Sequence, residues 1–132
     1  MKTQKEIDHT FYLKHREERI QKATLWAINN PERKNVINRK AMKKMLAMLR
    51  SEILFLLGGK CVICGFNDER ALQIDHVNGK GNQEHSCFKN QTSYYRYVLG
   101  KIKEGSKDYQ CLCANHNWIK KFEEKETKEK YL

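Results

Sequence analysis

Two pairs of residues in this chain have spacings that suit a metal ion. Cys61 and Cys64 stand in "CVICG", and Cys113 and His116 stand in "CANH". A two-residue spacer lets both members of a pair face one ion, and Gly65 permits the left-handed turn that aims backbone N–H groups at the sulfurs. Cys113 and His116 share a face at the expected start of a helix. Together the four make a closed Cys3His set, the ligand complement of a structural Zn2+ site. Cys111 competes with Cys113 for the third place, because residues 111 and 113 of a strand point the same way. His116 can also be read as a helix-surface imidazole. A lone Cys-x-x-Cys has the spacing of a redox motif as well; the second pair is what favours zinc. Cys87 has no partner at ligand spacing and reads as a plain thiol.

A third constellation is Asp75-His76, at the end of the apolar run in "ALQIDHVNGKGNQEH". An acid and an imidazole before Asn-Gly can be no more than a strand ending in a polar turn. They can also serve one site, since an imidazole with a pKa of about 6.5 is mostly neutral at pH 7 and suits a general base. Neighbouring side chains of a regular strand point to opposite faces. Joint use therefore predicts that the chain leaves strand geometry here, with Asn78-Gly79 and Gly81 supplying the freedom.

The elements that must position these residues differ between the two halves. Residues 1–57 hold no cysteine, one proline, and 13 Lys and Arg against 6 Asp and Glu. They read as two helices broken at Asn29-Asn30-Pro31, because a residue before proline is pushed out of helical geometry. The second helix runs from Glu32 to Leu57, grows apolar toward "MLAMLRSEILFLLGG", and stops at Gly58-Gly59. Its apolar end is expected to pack on the second half, and its polar start to be a solvated arm or to lie along something anionic. Residues 58–132 hold all five cysteines and all seven glycines. Here the pattern predicts a strand over 71–77, a Gly/Asn-rich loop, and a helix in "TSYYRYVLGKIKEG". A second strand, "YQCLC", runs straight into a helix that starts apolar at Trp118, Ile119 and Phe122. The tail "EEKETKEKYL" reads as a solvated or frayed end. Tyr94, Tyr95 and Tyr97 read as helix packing, and His9, His15 and His85 as surface residues, although His85 could come near Asp75 and His76.

Charge and composition narrow the partners. The net charge is +10, 39% of residues are hydrophobic and 32% are charged. A small core of this kind usually needs a staple, and the positive excess favours a polyanion. There is no apolar run of membrane-spanning length and no signal-peptide core at the start, so a cytoplasmic location without membrane contact is expected. In a reducing compartment cysteines serve as metal ligands or thiols rather than disulfides.

The order and spacing of "CVICG", "LQIDHVNG" and "YQCLCANHNWIKK" closely resemble the HNH endonuclease family, ββα-metal nucleases, in the subgroup whose motif lies between zinc knuckles. The resemblance covers residues 58–123 and leaves residues 1–57 out. It implies an α+β fold: a zinc-stapled ββα-metal (HNH) core in a nuclease domain over 58–132. Residues 1–57, by their helical pattern and basic excess rather than by the resemblance, are expected to be a basic helical extension that grips DNA, forms a homodimer, or does both. It implies that Asp75 holds a hydrolytic Mg2+ or Mn2+ ion and that His76 is the general base. Asn117 would ligate the same cation, as in the variant of the motif that ends in Asn. Asp108 aligns with the usual middle Asn; an Asp there can accept backbone hydrogen bonds to hold the loop carrying His76 but cannot donate them. His116 in place of the usual second Cys is a further departure. Lys120 and Lys121, and Arg39 and Lys43 in the extension, are candidate phosphate contacts. The implied activity is hydrolysis of phosphodiester bonds in double-stranded DNA. The competing class is a zinc-knuckle protein that holds DNA or RNA without cutting it, and Asp108 keeps that class open.

Overall fold

The computed structural model describes residues 3–124. The charged tail from residue 125 onward therefore lies outside the described residues. Helix α1 (Gln4–Asn29) opens on a capping box: Glu6 N–H donates to Thr3 Oγ1 at 3.4 Å, and Thr3 N–H donates to the Glu6 carboxylate at 2.7 Å. These two bonds satisfy donors that a helix start leaves unpaired. Asn30 ends α1 with φ −132° and ψ 55°. Pro31 then opens α2 (Pro31–Leu56) at the first helical position, where its missing N–H is not needed. Gly58 and Gly59 stop α2 at φ +97° and +65°, and the Gly59 N–H returns to the Leu54 carbonyl at 2.8 Å.

The chain divides into two compact units after Ala41, inside α2, rather than after Leu57 where its texture changes. Within the first unit, no residue of α1 is buried. The second unit takes up the apolar end of α2, because Ile53 and Leu54 are buried and Leu49 and Leu57 pack against the same core. Adjacent residues on a helix point about 100° apart, so Ile53 and Leu54 enter different clusters. Leu54 joins Cys61, Leu72, Cys111, Leu112 and Cys113; Ile53 joins Tyr94, Val98, Leu99 and Tyr109.

Both clusters take residues from the antiparallel pair found among the described residues, β1 (Leu72–His76) and β2 (Tyr109–Cys113), in the register Leu72 to Cys113, Asp75 to Gln110 and His76 to Tyr109. The fold is thus mixed α+β. Arg50 ties α2 to the entry of β1, its guanidinium donating to the carbonyls of Glu69 and Leu72 at 2.9 and 2.5 Å. A short helix, α3 (Gly81–Ser86), occupies the segment expected to be a loop. Its glycine and asparagine have low helix propensity, and six residues are too few for an apolar stripe to register as periodicity. Helix α4 (Gln91–Lys103) is capped by Asn90, whose side chain accepts from Ser93 N–H at 2.9 Å. It runs unbroken through Gly100. Tyr94 is buried on it and Tyr95 packs against the core, as expected, while the Tyr97 ring meets Phe88 at a tilt, with centroids 5.0 Å apart. Helix α5 (Ala114–Glu123) follows β2 with no intervening loop. No helix among the described residues is long and apolar enough to cross a membrane.

The two-cluster core gives a stability prediction. Ile53→Ala should cost about 2–5 kcal/mol, measured as a lower urea midpoint. Ile28→Ala, at a position 67% exposed, should stay within about 0.5 kcal/mol of the parent.

Candidate functional site

The four candidate zinc ligands converge. One ligand atom from each of Cys61, Cys64, Cys113 and His116 lies within 4.8 Å of all the others. Cys113 Sγ is 3.2 Å and Cys61 Sγ 3.6 Å from His116 Nδ1, and Cys64 and Cys113 Sγ are 3.9 Å apart. A tetrahedron with Zn–S bonds of about 2.3 Å has edges of about 3.8 Å, so the spacing fits a single zinc. Local structure explains the convergence. The Cys61 carbonyl accepts from Gly65 N–H at 2.9 Å, with Gly65 at φ +74°, and Val62 N–H binds the Cys111 carbonyl at 3.0 Å, fastening the knuckle to β2. Cys113 caps α5, its sulfur accepting from His116 N–H at 3.5 Å. Burial raises the Cys61 thiol, but backbone hydrogen bonds from Cys113, Cys64 and Ile63 outweigh it and bring it down to about 6. Cys111, the competing ligand, is fully buried among Leu54, Leu72 and Leu112, and burial raises its thiol. Cys87 is exposed, away from this cluster.

Beyond the Cys3His cluster, Asp75, His76 and Asn117 line one cavity of about 190 Å3, together with Gly79, Gly81, His85 and Lys121. β1 keeps its register through His76, and Val77 N–H still reaches the Asp108 carbonyl at 2.9 Å. The expected break at Asp75-His76 is therefore absent. The chain turns only after Val77, with Gly79 and Lys80 both at φ +70°, and the end of the strand lets both residues border the cavity. Gly81 acts sterically instead: a Cβ there would sit 2.8 Å from His76 Nδ1.

Asp75 is 7% exposed, and its Oδ2 accepts from Gln110 Nε2 and from Lys120 Nζ, each at 2.8 Å. Gln110 is the cross-strand partner of Asp75. Lys120 also donates to the His76 carbonyl, so its ammonium turns inward onto the acid rather than outward to a phosphate. Asn117 is 5% exposed; its Nδ2 donates to Gln73 Oε1, while its Oδ1 is buried with no hydrogen-bond partner among the described residues. An unpaired buried carbonyl oxygen is costly, and carboxylate and amide oxygens are the donor types that hard cations take.

Asp108 departs from its expected part. Its backbone carbonyl takes the Val77 N–H, while its carboxylate accepts from Ser106 Oγ at 2.8 Å. Among the described residues it is the main chain of residue 108, and not its carboxylate, that hydrogen-bonds the His76 loop, and that contact needs no particular side chain. Lys121 borders the cavity, and Arg39 and Lys43 are exposed on α2. Sequence reasoning missed Glu84, whose Oε2 pairs with His76 Nε2. It lies on the unexpected helix α3, so its only signal was that it stands in the segment just after the Asp-His pair. Compared with protein-family models, with curated proteins and with solved structures, the chain finds no match.

The cluster predicts one zinc per chain by elemental analysis. Cys61→Ser should abolish zinc retention and the cooperative unfolding of the second unit, because structural zinc contributes on the order of 10 kcal/mol to folding. Cys111→Ser should lose stability yet keep its zinc.

Proposed function

We propose that this chain is a metal-dependent endonuclease of the HNH type, with a ββα-metal core formed by β1, β2 and α5, acting on double-stranded DNA. The observation that carries the reading is the meeting of Asp75, His76 and Asn117 at one cavity, with the Asn117 carbonyl oxygen unpaired. Asp75 and Asn117 would hold the Mg2+ or Mn2+ ion. Bound there, the cation would offset negative charge gathering on the phosphate. The remaining work belongs to the chain itself. His76 takes the proton of the attacking water, Lys121 offers positive charge at the rim of the cavity, and the zinc cluster keeps α5 fixed beside β1. Arg39 and Lys43 add phosphate contacts, and a homodimer would supply the second cut of a duplex.

The alternative reading, a zinc-knuckle protein that binds nucleic acid without cutting, has its own supporting observation. Lys120 already places a positive charge on Asp75 Oδ2, which lessens the need of that carboxylate for a cation. Nicking of supercoiled plasmid separates the two. The nuclease reading expects Mg2+- or Mn2+-dependent nicking, lowered about 100-fold or more by His76→Ala. A wild type that stays inert with every metal while still binding DNA decides for the binding module. In either case DNA affinity should fall steeply with added salt. Lys121→Ala, Arg39→Ala and Lys43→Ala should each flatten the salt slope by about 1; an unchanged slope removes that residue from the interface.

A further inference from the structure

We infer that Glu84 is the positioning residue of His76: its carboxylate accepts the Nε2 proton, leaving the lone pair on Nδ1 at the cavity that Asp75 and Asn117 share. The inference rests on the reading of His76 as the general base and adds which nitrogen acts and what holds it.

A neutral imidazole carries its proton on one nitrogen, and the partner of the other nitrogen decides which. His76 Nε2 meets Glu84 Oε2. A carboxylate only accepts, so this contact places the proton on Nε2. On the opposite side of the ring, Nδ1 lies against Gly81, where a side chain would have no room. Gly81 lines the cavity of Asp75 and Asn117, whereas Glu84 lines an adjoining hollow with Lys80, Gln83 and Asp108, and His76 borders both. Glu84 thus acts through His76 and stays away from the reacting atoms.

The carboxylate is itself held. Tyr109 Oη donates to Glu84 Oε1 at 2.7 Å. Burial, and then the Glu84 carboxylate, push the Tyr109 hydroxyl well above the usual tyrosine range, so it remains a donor. The Tyr109 ring also meets the His76 ring edge-on, with centroids 4.8 Å apart. Tyr109 and His76 are cross-strand partners, so the pairing of β1 with β2 brings base, acid and clamp together. His76 is 12% and Glu84 25% exposed as side chains, which limits competition from water for the contact.

In the reaction, the water oxygen bonds to phosphorus as its proton passes to Nδ1. The phosphorus–oxygen bond to the leaving group breaks, and that oxygen takes a proton from solvent. The imidazolium so formed keeps its Nε2–H on the negative Glu84, as a carboxylate behind a catalytic imidazole does.

Nitrogen-15 NMR of His76 reads the tautomer without catalysis. In the wild type it should show a protonated Nε2 and a bare Nδ1. Glu84→Ala should mix the tautomers and lower kcat for nicking about 100-fold with KM little changed. The nearly isosteric Glu84→Gln retains an acceptor oxygen, so it should keep the tautomer and recover part of the rate. A wild-type His76 protonated on Nδ1 overturns the inference, as does a folded Glu84→Ala with the wild-type tautomer and kcat. A wild type with the expected tautomer that never nicks DNA overturns the nuclease reading alone.

Discussion

Cys113 is where the second unit is joined. It ends β2, caps α5 with its sulfur, and brings that sulfur to within ligand distance of Cys64 and His116. A helix that begins with no loop after a strand has its direction set by the residue at the junction. Here the junction is also tied across the molecule to the Cys61 knuckle. The apolar core near it is small, made largely of cysteines and leucines on β1, β2 and the end of α2. A core of that size leaves little to hold a short helix in place by packing alone, so a metal ion bound by the four candidate ligands would fix α5.

What α5 presents depends on that fixation. Asn117 follows the ligand His116 directly, and Lys120 lies about one turn beyond it. Both reach across to β1, Asn117 to Gln73 and Lys120 to Asp75 and the His76 carbonyl. A small rotation of α5 would remove all three contacts together. The polar site and the Cys3His cluster are therefore joined through α5, although the two share no atom.

The other side of the site is assembled by strand pairing. Gln110 reaches Asp75 and Tyr109 meets the ring of His76 because the register puts them opposite. A slip of one residue would exchange the faces and lose both pairs. Helix α3 completes this side by bringing Glu84 onto His76. Asp75 and His76 thus stand in different surroundings, one beside an amide and an ammonium, the other between a carboxylate and a glycine. Two neighbours with different partners can take different parts in one reaction.

Much of this was legible in the chain itself. Ligand spacing marks Cys61, Cys64, Cys113 and His116, because a metal knuckle is a local device of a few residues. Proline and paired glycines mark the ends of α1 and α2 for the same reason. The apolar thickening of α2 showed that its end belongs with the second half, though not that the division falls as early as Ala41. Cys113 is favoured over Cys111 in the chain as well, because it stands where the strand turns into the helix; that Cys111 is buried among leucines and outside the ligand cluster was decided by tertiary structure. The inward turn of Lys120, the main-chain part taken by Asp108, and the meeting of Glu84 with His76 were likewise decided by tertiary structure. Each depends on where a side chain ends after strands pair and a helix docks. Local spacing carries no record of those distances.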